Sequence, residues 1–124
     1  MEIKVYRCKH CGNIAIKVID SGVSMICCGE EMGELVPGSV DAAVEKHVPV
    51  VSREGDKVTV SVGSVAHPMT AEHYILFVIL DKTAGVQIAS LNPDDDPVAV
   101  FTVLSGAEVK KAYAYCNLHS FWVS

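Results

Sequence analysis

The chain has 124 residues, half of them hydrophobic, with a formal net charge of -5 and five cysteines. An acidic balance argues against nucleic acid and against anionic membranes as main partners, and the longest apolar run, Tyr74 to Leu80, is seven residues where a membrane helix needs roughly 20. The opening MEIKVYRCKHCG lacks the basic start, apolar centre and small-residue cleavage site of a secretory signal, so a cytoplasmic setting with reduced thiols is expected.

In chain order, residues 1–36 read as one unit. Ile3 to Arg7 predicts a short strand, Cys8-Lys9-His10-Cys11-Gly12 a tight turn, and Ile14 to Ile19 a second strand closed by the turn Asp20-Ser21-Gly22. Such a unit is shorter than the roughly 40 residues at which chains usually fold without a staple. Cys8-x-x-Cys11 and the adjacent pair Cys27-Cys28 enclose 15 residues and offer four thiolates to one tetrahedral ion, zinc or iron. Neighbouring cysteines cannot chelate with the relaxed bite of C-x-x-C, so a distorted tetrahedron is expected. His10, inside the first loop, reads as an exposed residue and not a ligand, because four thiolates fill the site. Val36-Pro37-Gly38-Ser39 reads as a linker to a second domain, residues 37–124.

That second domain carries β signals. Lys57 to Val62 alternates polar and apolar, and Tyr74 to Leu80 suits a strand buried on both faces. Val86 to Leu91, Val98 to Leu104 and Val109 to Tyr115 follow, separated by Asn92-Pro93 and Ser105-Gly106. Short strands between regular turn signals favour a sandwich or small barrel. No amphipathic helix and no internal repeat stand out, and the acidic run 92–97 reads as a solvated turn. The fold class is all-β.

Beyond the four clustered cysteines stand Cys116 and four histidines, His47, His67, His73 and His119, each beside a turn or strand edge. Cys116-Asn117-Leu118-His119 is the sharpest local signal, because one turn can present a sulfur and an imidazole to one ion. Spacing alone leaves open whether the other histidines are ligands or ordinary surface and core residues.

Glu45-Lys46-His47-Val48-Pro49, His67-Pro68-Met69 through His73-Tyr74-Ile75, and Cys116-Asn117-Leu118-His119 with Trp122 together resemble the superoxide reductase family. With Cys8-x-x-Cys11 and Cys27-Cys28 the chain resembles the family's two-iron branch, desulfoferrodoxin, from end to end and in the same order. One departure is Ser120, where the family commonly has glycine. If that position needs a positive φ, serine costs about 1 kcal/mol.

The resemblance implies a small desulforedoxin-like (rubredoxin-like) iron-tetrathiolate domain followed by an immunoglobulin-like (fibronectin III-like) β-sandwich. It implies two irons per chain: one on Cys8, Cys11, Cys27 and Cys28, the other held by His47, His67, His73 and His119 with Cys116 on the axis and a sixth position open to solvent. Ferrous iron with one thiolate is locally positive within an acidic protein. The implied reaction is one-electron reduction of superoxide to hydrogen peroxide, without oxygen release, in oxidative-stress defence. Lys46 is expected to draw superoxide in and to position a water for proton delivery, and Glu45 to move onto the open position of the resting ferric iron. A rubredoxin-like electron donor and a homodimer are further implied. Two other readings make different predictions: a zinc-stapled, non-catalytic binding module would be colourless, and a dismutase would evolve oxygen without a reductant.

Overall fold

The computed structural model describes residues 3–124, so the first two residues of the expected first domain lie outside it. Contacts divide the chain into two compact units that meet in sequence at Val36 and Pro37. The first contains β1 (Val5–Arg7), β2 (Ile14–Ile16), β3 (Ile26–Cys27), β4 (Glu30–Glu31) and β5 (Gly33–Glu34). An antiparallel sheet of order β2-β1-β5 buries Val5 completely, and β3 and β4 form a separate hairpin. The second strand stops at Ile16, short of the expected Ile19. Lys17 leaves the ladder because its ammonium donates to Asp20 Oδ1 at 3.0 Å and to the Val23 carbonyl at 2.7 Å, which turns the chain there.

The second unit is a sandwich of two open antiparallel sheets. One has the order β10-β7-β6, built from β6 (Pro49–Glu54), β7 (Lys57–Val62) and β10 (Val98–Thr102). The other has the order β12-β11-β8-β9, built from β8 (Ile75–Lys82), β9 (Gly85–Ser90), β11 (Val109–Cys116) and β12 (Ser120–Val123). Alternation along β7 sends Val58, Val60 and Val62 inward, fully buried, and leaves Lys57 exposed. They meet Ile75, Val78 and Leu80 of β8 and the small Ala112 and Ala114 of β11 in one core, which also takes Cys116. Alanines on β11 leave room for the branched residues opposite. A bulge between Tyr115 and Cys116, where Cys116 faces Ile75 and Leu76 is passed over, re-aims the end of β11.

In the second unit three elements were not expected from the sequence. The strand β6 opens on proline and is exposed at four of its six positions, so no alternation marks it. Strand β12 is only four residues long. A single helical turn, α1 (Val44–His47), is too short to show a 3.6-residue period and ends on a buried histidine.

Candidate metal centres

The four thiols of the first unit converge, all within 4.8 Å of one another, and Cys11 Sγ lies 3.6 Å from Cys27 Sγ. Sulfurs about 2.3 Å from a central tetrahedral ion would stand about 3.8 Å apart, so the spacing fits an ion. Cys8 and Cys11 flank a turn in which the Cys8 carbonyl accepts the Gly12 N–H at 2.9 Å. The second pair is built differently. Cys27 ends β3, and Cys27 pairs with Glu30, leaving Cys28 and Gly29 as a two-residue hairpin loop with φ of 52° and 77°. Two consecutive left-handed residues define a type I′ turn, and this places adjacent cysteines on a strand end and a turn. Backbone N–H groups of Cys11 and His10 pull the Cys8 thiol down to about 6, whereas crowding by the Cys11, Cys8 and Cys27 sulfurs pushes Cys28 up to about 12. Four thiolates this close require a cation. His10 is exposed and pairs through Nε2 with Glu30 Oε1 at 3.0 Å, outside the sulfur cluster.

The second site gathers residues from α1, the 67–73 loop and the β11–β12 hairpin. Ligand atoms of His47, His67, His73 and Cys116 lie within 4.8 Å of one another. His119 joins through Nδ1, 3.8 Å from Cys116 Sγ. Ring centroids step round at 4.7 Å (His47–His67), 4.7 Å (His67–His73), 5.1 Å (His73–His119) and 4.9 Å (His119–His47), with a longer His47–His73 diagonal of 6.5 Å. Neighbouring rings stand at 72° to 88° and the diagonal pair at 29°. Four near-equal sides and a longer diagonal describe a square of imidazoles.

Backbone carbonyls fix these rings. His47 Nδ1–H donates to Ala43 O at 2.7 Å and His67 Nδ1–H donates to Pro68 O at 2.6 Å. Both Nε2 atoms then carry lone pairs, yet they face each other at 3.2 Å. Ligand nitrogens at right angles about 2.1 Å from an ion would be about 3.0 Å apart, so a cation relieves this confrontation. His73 Nε2 is buried with no hydrogen-bond partner, which fits the same ion. Burial holds His67 down at about 4 and lowers His47 and His73 as well, keeping the imidazoles neutral and able to ligate. Burial raises the Cys116 thiol, opposed by the backbone N–H groups of His119 and Leu118.

Several side chains outside the donor set hold it in place. Asn117 accepts the Tyr74 N–H at 3.0 Å and donates to Glu72 O at 2.9 Å, tying the His73 segment to the Cys116 turn. Trp122, on β12, packs against the His47 ring at 4.9 Å and donates its indole N–H to His119 O at 2.8 Å. Beneath α1, a Cβ on Gly63 would come within 2.7 Å of the Glu45 and Lys46 carbonyls and 2.3 Å of the Val65 carbonyl. Gly63 has φ +86°, and the Val65 N–H and Ser64 hydroxyl donate to the Glu45 carbonyl at 2.9 and 3.3 Å. Only glycine permits this approach. Gly63 and the Asn117 and Trp122 clamps act partly through backbone atoms, so the sequence shows Asn117 and Trp122 beside the candidate ligands without their roles, and a Gly-Ser pair four residues before His67 is the one signal for Gly63. Glu45 and Lys46 are exposed on α1, next to His47, and the Lys46 charge reaches both His47 and His73 and disfavours their protonation.

Fold and sites together define an all-β non-haem metalloprotein: a tetrathiolate unit followed by a sandwich holding four imidazoles and a thiolate. The sequence profile of the desulfoferrodoxin N-terminal domain matches residues 1–35 and that of desulfoferrodoxin matches residues 39–124. The desulfoferrodoxin homolog of Archaeoglobus fulgidus is 45% identical over 123 residues, covering 98% of this chain and 96% of that one. Among solved structures, the superoxide reductase from Treponema pallidum superposes with a TM-score of 0.86 at 39% identity, covering 100% of this chain and 99% of that one. A one-iron superoxide reductase from Giardia intestinalis gives a TM-score of 0.55 at 33% identity, covering 64% of this chain and 95% of its own. The chain belongs to the desulfoferrodoxin family, and its two clusters match the two iron centres of that family.

Proposed function

We propose that this chain is a superoxide reductase that converts superoxide, one electron and two protons to hydrogen peroxide without releasing oxygen. The square of imidazoles beside a buried thiol carries this reading, since five protein donors are one fewer than an octahedral iron accepts. In this reading His47, His67, His73, His119 and Cys116 hold the catalytic iron, and Cys8, Cys11, Cys27 and Cys28 hold the other in a tetrathiolate domain spanning residues 1–36. Iron bound in the square supplies a one-electron couple and a place for the anion. The carbonyls of Ala43 and Pro68 keep Nε2 of His47 and His67 turned inward through turnover. N–H groups of His119 and Leu118 steady negative charge on Cys116. Exposed Lys46 attracts superoxide and holds a water for proton delivery, because the imidazoles are occupied as ligands. Glu45, carried on the same turn, occupies the anion's place between turnovers.

The natural setting follows from smaller observations. Five free cysteines fit a reducing cytoplasm. Electrons come from a small donor such as a rubredoxin-like protein. A homodimer would cover some of the exposed Val18, Ile19, Val23 and Ile26 of the first unit. No helix among the described residues is long and apolar enough to cross a membrane. Metal analysis with absorption spectra before and after oxidation tests the reading. Two irons and a new thiolate-to-iron band are expected, with superoxide consumed only when a reductant is supplied. Zinc in the second site, or oxygen evolved during superoxide consumption, would overturn it.

A further inference from the structure

Among the described residues, Asn13 touches both halves of the first site. Its backbone N–H donates to Cys11 Sγ at 3.4 Å, and its side-chain amide donates to Cys27 Sγ at 3.6 Å. Its carbonyl in turn accepts the Cys8 N–H at 2.9 Å, so the residue is anchored where it must be to make both contacts. One sulfur belongs to the C-x-x-C pair and the other to the adjacent pair. Cys11 is exposed and Cys27 only partly covered, so neither sulfur is shut away in an apolar pocket that would fix its electronics. In a half-exposed tetrathiolate, hydrogen bonds to sulfur are a main lever on the reduction potential.

We propose that Asn13 sets the reduction potential of the first iron, through an amide that donates to Cys27 across the site. The proposal rests on iron occupying the four cysteines. A tetrathiolate ferric site carries one negative charge and its ferrous form two, so an N–H dipole aimed at sulfur stabilises the reduced form more and raises the potential. Asn13 touches ligands and not the metal; it is a tuning residue and not a catalytic one. Its side chain is free to be replaced because the backbone bonds that close the turn do not depend on it.

The experiment is a spectroelectrochemical titration of the full-length two-iron protein, following the tetrathiolate absorption of the first centre. The second centre, titrating in the same sample, serves as an internal reference. Asn13→Leu keeps the volume and removes the donor. We expect its equilibrium constant for reduction to fall about tenfold, which is 59 mV for one electron, while the second centre is unmoved. Asn13→Asp, close in shape to the natural side chain, replaces the donor by a negative acceptor and is expected to fall at least as far, which keeps the test open if leucine costs the site its metal. A potential in either variant within twofold of the parent's equilibrium constant, at unchanged tetrathiolate absorption, overturns the proposal. A parent protein with no redox-active first centre, or with zinc there by metal analysis, instead overturns the iron reading on which the proposal stands.

Discussion

At the scale of single residues, position 120 shows how a local conformation can be read against its side chain. Cys116 pairs with Ser120 across the β11–β12 hairpin, so Ser120, the first residue of β12, is where the chain re-enters the ladder after the turn. Ser120 takes φ +64°, the left-handed conformation that glycine adopts without cost. A side chain there costs about 1 kcal/mol, and the greater chain entropy of glycine returns part of it. Ser120→Gly is therefore expected to stabilise the protein by about 0.5 kcal/mol, read as a rise in the urea midpoint with metal content unchanged. Lys46 is a different case, since it is exposed and its effect is on encounter. A unit charge about 5 Å from an anion, in a medium between water and an effective dielectric near 20, changes a rate by roughly four- to a hundred-fold. Lys46→Ile should slow the second-order reaction with superoxide by that factor and flatten its dependence on ionic strength. Pulse-radiolysis rates that match the parent's at every salt concentration would exclude steering by this lysine.

At the scale of elements, α1 and the turn at Gly63 act as one piece. The helical turn has no side-chain cap and only four residues, so its own hydrogen bonds cannot hold it. It is held instead by the Val65 N–H and Ser64 hydroxyl on the Glu45 carbonyl, over a glycine with no room for a Cβ. Gly63→Ala should push α1 off this seat, destabilising the sandwich by about 2 kcal/mol and lowering iron retention at the second site, because His47 moves with the helix. Retained iron at wild-type affinity in that variant would show the seat to be dispensable. The elements that could be read from sequence are those whose residues alternate against a core: β7 with Val58, Val60 and Val62, and the largely buried β8. Strand β6 could not be, because its register is set by pairing with β7 and its side chains mostly face solvent. Residue types and motif order marked the candidate donors, but the square of rings exists only once α1, the 67–73 loop and the β11–β12 hairpin meet. The roles of Asn117 and Gly63 as clamps could not be read, because main-chain atoms are one half of each contact.

At the scale of the whole molecule, metal and proton compete for one set of groups. His67 falls from its ordinary 6.5 to about 4 in the folded chain, so between those values the unfolded chain binds more protons. Stability held by the neutral ring is complete above pH 6.5 and is lost as pH falls toward 4. The metal-free protein should show a lower urea midpoint at pH 5 than at pH 7, and the loaded protein should release its second metal over the same interval. An unchanged midpoint would mean that the ring gains its proton without cost in the folded state. The two units should separate under mutation. Cys11→Ser is expected to abolish metal binding at the first site, where binding free energy of about 10 kcal/mol is also folding energy, and to melt residues 1–36. Superoxide reduction should persist, as a one-iron relative covering 64% of this chain suggests; loss of activity with the second iron still bound would make the first an obligate relay. The spread of the two donor sets along the chain has a consequence for assembly. Cys8 to Cys28 are close enough in sequence to close round an ion once that stretch has left the ribosome, whereas His47 and His119 meet only after the chain as far as β12 has been made and paired. The first donor set can therefore assemble before the second, whose completion requires the finished sandwich around it.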